Sequence, residues 1–285
     1  MRECGLSQSE AQRFIAKGRL FVEGEPMCDA SGEVEGRFSC VFFEPVSRGL
    51  EPIFQTNSFV LFDKPSGILV HPQNRYTPYS MIDEIRFHFG KHANIVHRID
   101  QETSGLLLAA KSKQAERTLK MAFENREVHK RYLAFVRGKI TNDMVIDEPL
   151  LRRKDESAFV RMIVKVDNSG KPSRTDIRVI EYFPTFDMTL VEAIPYTGRQ
   201  HQIRVHLFHV KHPIVGDPLY AQPQEEAVRF LDREQTVEER ILLTGASRLL
   251  LHAHRLDFRF EGVEYRLKSK EDFISEALRC VSRET

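Results

Sequence analysis

Residues 105–110 read GLLLAA, a continuous apolar run with almost no polar face. A run of this length is a strand buried on both faces or a short core helix. Its entry is unusual for a core element. Residues 96–104 read VHRIDQETS, which sets a His-Arg pair, the carboxylate of Asp100 and two hydroxyl residues against the start of the run. Two readings of Asp100 compete. It can be an Asx-turn residue, with Thr103 and Ser104 closing a loop and Arg98 a solvated charge. Alternatively, the loop fixes one carboxylate beside one guanidinium, an arrangement that core packing does not require.

Composition narrows the classes. The chain has 285 residues, 41% hydrophobic and 29% charged, enough for one large domain or a domain with a small module. Its 42 basic and 41 acidic side chains leave a net charge of +1, so any polyanionic partner must meet locally concentrated charge. Cys4, Cys28, Cys40 and Cys280 form no C-x-x-C pair, which argues against a zinc site and a disulfide framework. His201 and His206 lie five apart, whereas helical metal-binding histidines usually lie four apart. No metal is expected. The N-terminus has no apolar signal core and no stretch reaches membrane-spanning length, so a cytoplasmic chain without a membrane partner is expected.

Residues 5–45 have the pattern of a separate small module. Ser7 and Glu10 fit a capping box, Ala11, Phe14 and Ile15 share a helical face, and Gly18 is a natural stop. Residues 20–22 read as a strand and residues 23–26 as a turn. Residues 47–52 read as a linker, which puts the domain boundary at 48/49. Strands are expected over 58–63, 68–71, 130–136, 188–194 and 249–256, with Lys64, Pro65 and Gly67 forming a turn between the first two. Helices are expected over 80–90, after Ser112 with Ala115, Leu119, Ala122 and Phe123 inward, from near Arg199 with Ile203, Leu207 and Val210 inward, and from about 271. Residues 213–220 read as a structural loop, and polar residues 222–240 as a surface insertion.

Four stretches together resemble the RluA-type pseudouridine synthases. They are HRID followed by TSG at 97–105, KPSG at 64–67, KRY at 130–132 and TGRQHQIRVH at 197–206, with a closing LHA at 251–253. The resemblance covers residues 58–260. It implies an α+β fold, a long mixed, largely antiparallel sheet flanked by helices and loops. It implies an RNA-modifying isomerase that needs no cofactor, because the product is an isomer of uridine. It places Asp100 as the catalytic carboxylate and Tyr132 beside the target base, where it could also assist removal of a proton. Arg204 is the candidate for the arginine that pairs with Asp100; Arg199 is the alternative and otherwise a phosphate contact. Arg98, His97, Thr103 and Lys64 are expected to contact substrate or shape its pocket. Residues 7–26 resemble the αL RNA-binding module, with its first helix truncated, which makes Arg13, Lys17 and Arg19 the candidate phosphate contacts. The implied partner is RNA, large-subunit ribosomal RNA ahead of transfer RNA, with the enzyme acting as a monomer. Two other classes fit less well: a non-catalytic RNA-binding relative, and a glycosidic hydrolase, in which Glu102 would be the second carboxyl group but has no evident role.

Overall fold

The computed structural model describes residues 7–27, 29, 35–74, 76–152 and 164–281, so Cys4 and Cys28 lie outside the described residues. The chain divides into two compact units, Met1–Pro45 and Val46–Thr285. In the first, helix α1 (Gln8–Ala16) starts where its capping box dictates. The Ser7 hydroxyl accepts from Glu10 N–H at 3.4 Å, and the Glu10 carboxylate accepts from Ser7 N–H at 3.0 Å. Ala11 and Phe14 face inward, and the Phe14 ring packs 5.2 Å from that of Phe42. Strand β1 (Leu20–Val22) lies between β2 (Glu25–Met27) and β3 (Phe38–Cys40), all antiparallel.

The second unit is built on one large sheet. Its strands are β4 (Phe54–Gln55), β5 (Phe59–Lys64), β6 (Asn94–Ile95), β7 (Ser104–Ala110), β8 (His129–Arg137) and β9 (Met144–Asp147). A separate ribbon pairs β10 (Leu150–Arg152) with β11 (Val164–Val166). The large sheet continues with β12 (Arg174–Phe183), β13 (Met188–Pro195), β14 (Leu251–Phe260) and β15 (Val263–Lys268). The order is β4-β5-β7-β14-β8-β13-β12-β9, with β15 added to β14 and β6 to β7. Every pairing is antiparallel except β7 with β14, which run parallel over Ser104–Gly105 and His252–Ala253. The mixed, largely antiparallel α+β sheet agrees with the expected fold.

That short parallel contact splices two half-sheets, each with its own apolar core. Only glycine fits at the splice. Gly105 has φ +100°, and a Cβ there would lie 2.3 Å from the Ala253 carbonyl oxygen. The rest of the GLLLAA run is fully buried, which explains its lack of a polar face. Tyr132 pairs in register with Ala253, so the loop before β7, the tyrosine of β8 and the start of β14 meet at the splice.

Among the described residues six α-helices complete the unit: α2 (Met81–Phe89), α3 (Lys113–Glu124), α4 (Gln202–His209), α5 (Gln224–Leu231), α6 (Val237–Thr244) and α7 (Phe273–Val281). Among the described residues, no helix is long and apolar enough to cross a membrane.

Three local expectations are corrected. Residues 68–71 are irregular rather than a strand, because the Lys64 ammonium takes the carbonyls of Pro65 and Ile68 and folds the chain back. Helix α4 begins at Gln202 and not near Arg199. The Gln202 side chain accepts from the Thr197 hydroxyl and the Arg199 N–H, holding residues 197–201 in a turn that His201 leaves at φ +54°. Residues 222–240, expected as a surface insertion, carry α5 and the first half of α6; Thr236 and Glu239 cap α6, and Ala227 alone is buried on α5. Residues 47 and 48 are not free linker. The buried carboxylate of Glu84 accepts from the Ser47 hydroxyl at 2.8 Å and from Arg48 N–H.

Candidate active site

Asp100 ends the segment after β6, and its loop is held through the backbone. Lys64 is wholly buried at the end of β5 and donates to the carbonyls of Pro65, Ile68 and Gln101 at 2.8, 2.9 and 2.9 Å. These three acceptors use all three protons of an ammonium. Burial nonetheless pushes the group down to about 7, against the pull of Glu102 and Asp100. The Ser66 hydroxyl donates to the Glu102 carbonyl at 2.6 Å, and Thr103 N–H closes the turn on the Asp100 carbonyl at 3.2 Å. The Asx-turn alternative, in which the Asp100 side chain serves only its own loop, therefore loses to a carboxylate that faces a long-range partner.

That partner is Arg204, on the first turn of α4. It is 3% exposed and donates from Nη1 to Asp100 Oδ2 at 3.3 Å. Its other donors belong to Asp217: Nε to Oδ2 and Nη2 to Oδ1, both at 2.8 Å. This two-pronged geometry matches a guanidinium to a carboxylate. Burial alone would weaken the hold of Arg204 on its proton, but Asp217 and then Asp100 more than offset it and keep the side chain charged. Burial likewise opposes ionisation of Asp217, yet Arg204 and the N–H groups of Leu219 and Tyr220 hold its carboxyl below the usual range.

Above the pair opens a cavity of about 590 Å³. Its walls include Arg98, Asp100, Thr103, Lys130, Tyr132, Arg199, His201 and Arg204. Arg98, Arg126, Lys130, Arg199 and Arg204 line it against only Asp100 and Glu124, which supplies the local positive charge that the near-zero net charge demands. Burial, then the Asp100 charge, raises the Tyr132 phenol and keeps it protonated. The His201 ring places Nε2 3.9 Å from Asp100 Oδ2 and Nδ1 2.9 Å from the Tyr220 hydroxyl. Burial, then Arg204, lowers His201 to about 4, so the imidazole is neutral at pH 7.

The structure brings Asp100, Tyr132, Arg204, Arg98, Arg199, His97 and Thr103 around one cavity. Of the two roles expected for Lys64, its contacts fit shaping the pocket from beneath and not touching the substrate space. It lines no part of this cavity, because every proton of its ammonium is spent on the loop beneath. His97 reaches the cavity wall, but Nε2 accepts from Leu108 N–H at 3.0 Å and the ring stacks 4.5 Å from that of Phe123. Burial lowers it to about 3, and it is a neutral strut of the wall. Arg204 and Arg199 separate clearly: Arg199 is half-buried and meets only the Pro172 carbonyl, at 3.5 Å. Arg13, Lys17 and Arg19 are exposed on the first unit. Both ring nitrogens of His206 are used, on the Thr175 hydroxyl and the Glu148 carbonyl.

Asp217, His201 and Tyr220 were not legible as site residues. The one signal for Asp217 is an acidic side chain within the otherwise apolar stretch IVGDPL at 214–219. Glu102, which had no evident partner, is engaged by Arg240 at 2.7 Å.

Residues 58–209 match the RNA pseudouridylate synthase family. An uncharacterized RNA pseudouridine synthase of Helicobacter pylori is 36% identical over 267 residues, covering 94% of this chain and 88% of the relative. Ribosomal large subunit pseudouridine synthase D of Neisseria meningitidis is 30% identical over 266 residues, covering 88% of this chain and 68% of that one. tRNA pseudouridine synthase C of Pasteurella multocida is 34% identical over 220 residues, covering 73% of this chain and 85% of that one. The solved structure of human RNA pseudouridylate synthase domain containing 1 superposes with a TM-score of 0.64 at 26% identity, covering 84% of this chain and 90% of that one. With the arginine-paired carboxylate at a sheet splice, and a match that spans more than half of its length, the chain belongs to the RluA-type RNA pseudouridine synthases, enzymes that isomerise uridine within RNA.

Proposed function

We propose that this enzyme isomerises uridines of large-subunit ribosomal RNA, with Asp100 as the catalytic carboxylate. The observation that carries the reading is the Asp100–Arg204 contact of 3.3 Å at a cavity bordered by Tyr132. In the reaction the C1′–N1 bond breaks, C1′–C5 forms, C5 loses a proton and N1 gains one. Atoms and electrons balance with no redox partner and no cofactor. A uridine within a stem must first leave the stack to reach a site of this depth. Asp100 is the group presented to the flipped nucleotide. Arg204 pairs with it and orients it. Tyr132 lies against the detached base, where it can also assist removal of the C5 proton; burial and the Asp100 charge keep its phenol protonated before substrate binds. Arg98 fills the vacated space in the RNA or meets a phosphate, and Arg199 and Lys130 meet phosphates at the rim. Thr103, His97 and Lys64 hold the wall and the loop.

The first unit supports the ribosomal target. It has the helix-strand pattern of an αL module, and the similarity to the large-subunit enzyme of Neisseria meningitidis extends over more of this chain than the similarity to the tRNA enzyme. Arg13, Lys17 and Arg19 add phosphate contacts there. We place the enzyme in the cytoplasm, working as a monomer. The test is to map pseudouridines in ribosomal and transfer RNA from cells with and without the protein. Loss of sites in large-subunit RNA is expected. Loss confined to transfer RNA would replace the target and leave the chemistry intact.

A further inference from the structure

Helix α6 grips the two loops that carry the carboxylates on either side of Arg204, Asp100 and Asp217. Arg240 Nη2 donates to Glu102 Oε2 at 2.7 Å and to the Gly216 carbonyl at 3.1 Å. Glu102 follows Asp100 by two residues, and Gly216 immediately precedes Asp217. The same glycine donates its N–H to the Thr244 carbonyl at 2.9 Å, and the Thr244 hydroxyl returns to the Arg240 carbonyl at 2.7 Å. One turn of α6 therefore holds Gly216 at both its N–H and its C=O. There is no slack at this point: a Cβ on Gly216 would lie 1.8 Å from the Arg248 carbonyl oxygen. Arg240 is confined as well, 11% exposed and 5.0 Å from the Phe230 ring of α5. Arg229 of α5 reaches Glu239 of α6 at 2.9 Å and is itself held by Glu226 of its own helix at 3.0 Å.

We propose that Arg240 is a positioning residue for the isomerisation. It ties the Asp100 loop to the Asp217 loop and thereby sets the separation of Asp100 from Arg204. It does not line the cavity. A planar guanidinium can satisfy two acceptors on different loops in a fixed geometry, which an ammonium does less well. The proposal rests on Asp100 being the catalytic carboxylate.

The test uses the full chain on total RNA from cells lacking the protein, so that the target assignment is not presumed. Single-turnover pseudouridine formation, RNA affinity and melting temperature are measured for Arg240→Met, Arg240→Lys, Glu102→Gln and the Glu102→Gln/Arg240→Met double variant. A displacement of about 1 Å in a reacting group costs on the order of 100-fold, so Arg240→Met should slow the single-turnover rate by roughly 10- to 100-fold, with RNA affinity changed less than about threefold. Arg240→Lys should recover part of the rate. The double variant should be no slower than Arg240→Met, because both changes remove one shared contact. A folded Arg240→Met at the wild-type rate overturns the proposal, as does a loss confined to RNA affinity or a double variant that multiplies the two single losses. Should Arg240→Met not fold, wild-type rates in both Arg240→Lys and Glu102→Gln overturn it. Asp100→Asn, measured alongside, separates the two readings: turnover there removes the underlying role of Asp100. An inactive Asp100→Asn with a normal Arg240→Met removes only this proposal.

Discussion

The two charged walls of the cavity are held in opposite ways. On the Asp100 wall the protein holds the backbone, through Lys64 and Ser66 on main-chain carbonyls, and leaves the carboxylate 27% exposed with one long bond to Arg204. On the Arg204 wall it holds the side chain itself, spending Nε and Nη2 on an Asp217 that is 1% exposed. The difference separates the two charges by use. Arg204 is buried, oriented and nearly saturated. Asp100 is fixed in place yet keeps free acceptor capacity toward the cavity, which a reacting carboxylate needs. Neither arrangement is chosen for stability, since burying an ion pair costs several kcal/mol per ion before its attraction is counted.

Four substitutions sharpen or break this contrast. Asp100→Asn has the largest expected effect on activity: pseudouridine formation should fall below detection. Stability should change by less than about 1 kcal/mol, because a partly exposed ion pair contributes no more than that. Normal turnover would remove Asp100 from its role. Arg204→Ala acts on the other wall and should lower both activity and stability. It leaves Asp217 buried and unpaired, a loss of about 3–5 kcal/mol for pairs of this kind. Arg199→Ala should cost less on both counts, and denaturant midpoints with rates for the two variants decide. Equal losses, or the reverse order, would assign the pairing role to the wrong arginine.

His201 probes the contact between the walls through pH. Its imidazole titrates near 6.5 when unfolded and at about 4 when folded, so between these values the unfolded chain binds the extra proton. The stability it contributes is complete above pH 6.5 and is lost as pH falls through 4. His201→Asn, in which asparagine tolerates the φ of +54°, should flatten that acid loss by on the order of 3 kcal/mol. Parallel urea curves at pH 7 and pH 4 test it; an unchanged difference would mean that another group titrates. The smallest effect lies outside both walls. Neutralising Arg13, Lys17 and Arg19 together should reduce the salt slope of rRNA affinity by up to about 2–3. The rate on a short RNA at saturation should not move. A slower rate would tie the first unit to the chemistry.

Legibility in the sequence followed the range of each signal. Asp100 stood out because its loop is an unusual entry to a core element, Tyr132 and Arg204 only through the family resemblance, and the structure gathers all three at one cavity. The sequence left Lys64 between contacting substrate and shaping the pocket, because a lysine beside Pro65 and Gly67 reads locally only as a turn. Nothing nearby reveals that the Gln101 carbonyl, 37 residues on, takes its proton. The same ammonium explains residues 68–71, whose apolar run Ile68-Leu69-Val70 fits a strand until Lys64 donates to the Ile68 carbonyl.

The sequence by itself determined the elements whose information fits within one turn or one strand. These include the Ser7–Glu10 cap of α1 and the inward face of α3, whereas the apolar run 105–110 fits a doubly buried strand or a short core helix until its pairing with β5 and β14 decides it. Only the tertiary structure decided which charges meet. Arg204 reaches Asp100 across 104 residues, and Arg240 reaches Glu102 across 138. The reason is physical. Helical and strand periods are imposed by backbone geometry that every residue shares, so they leave a repeating trace. A buried charge is satisfied by whichever partner the returning chain brings into the same low-dielectric space, and no period records that partner.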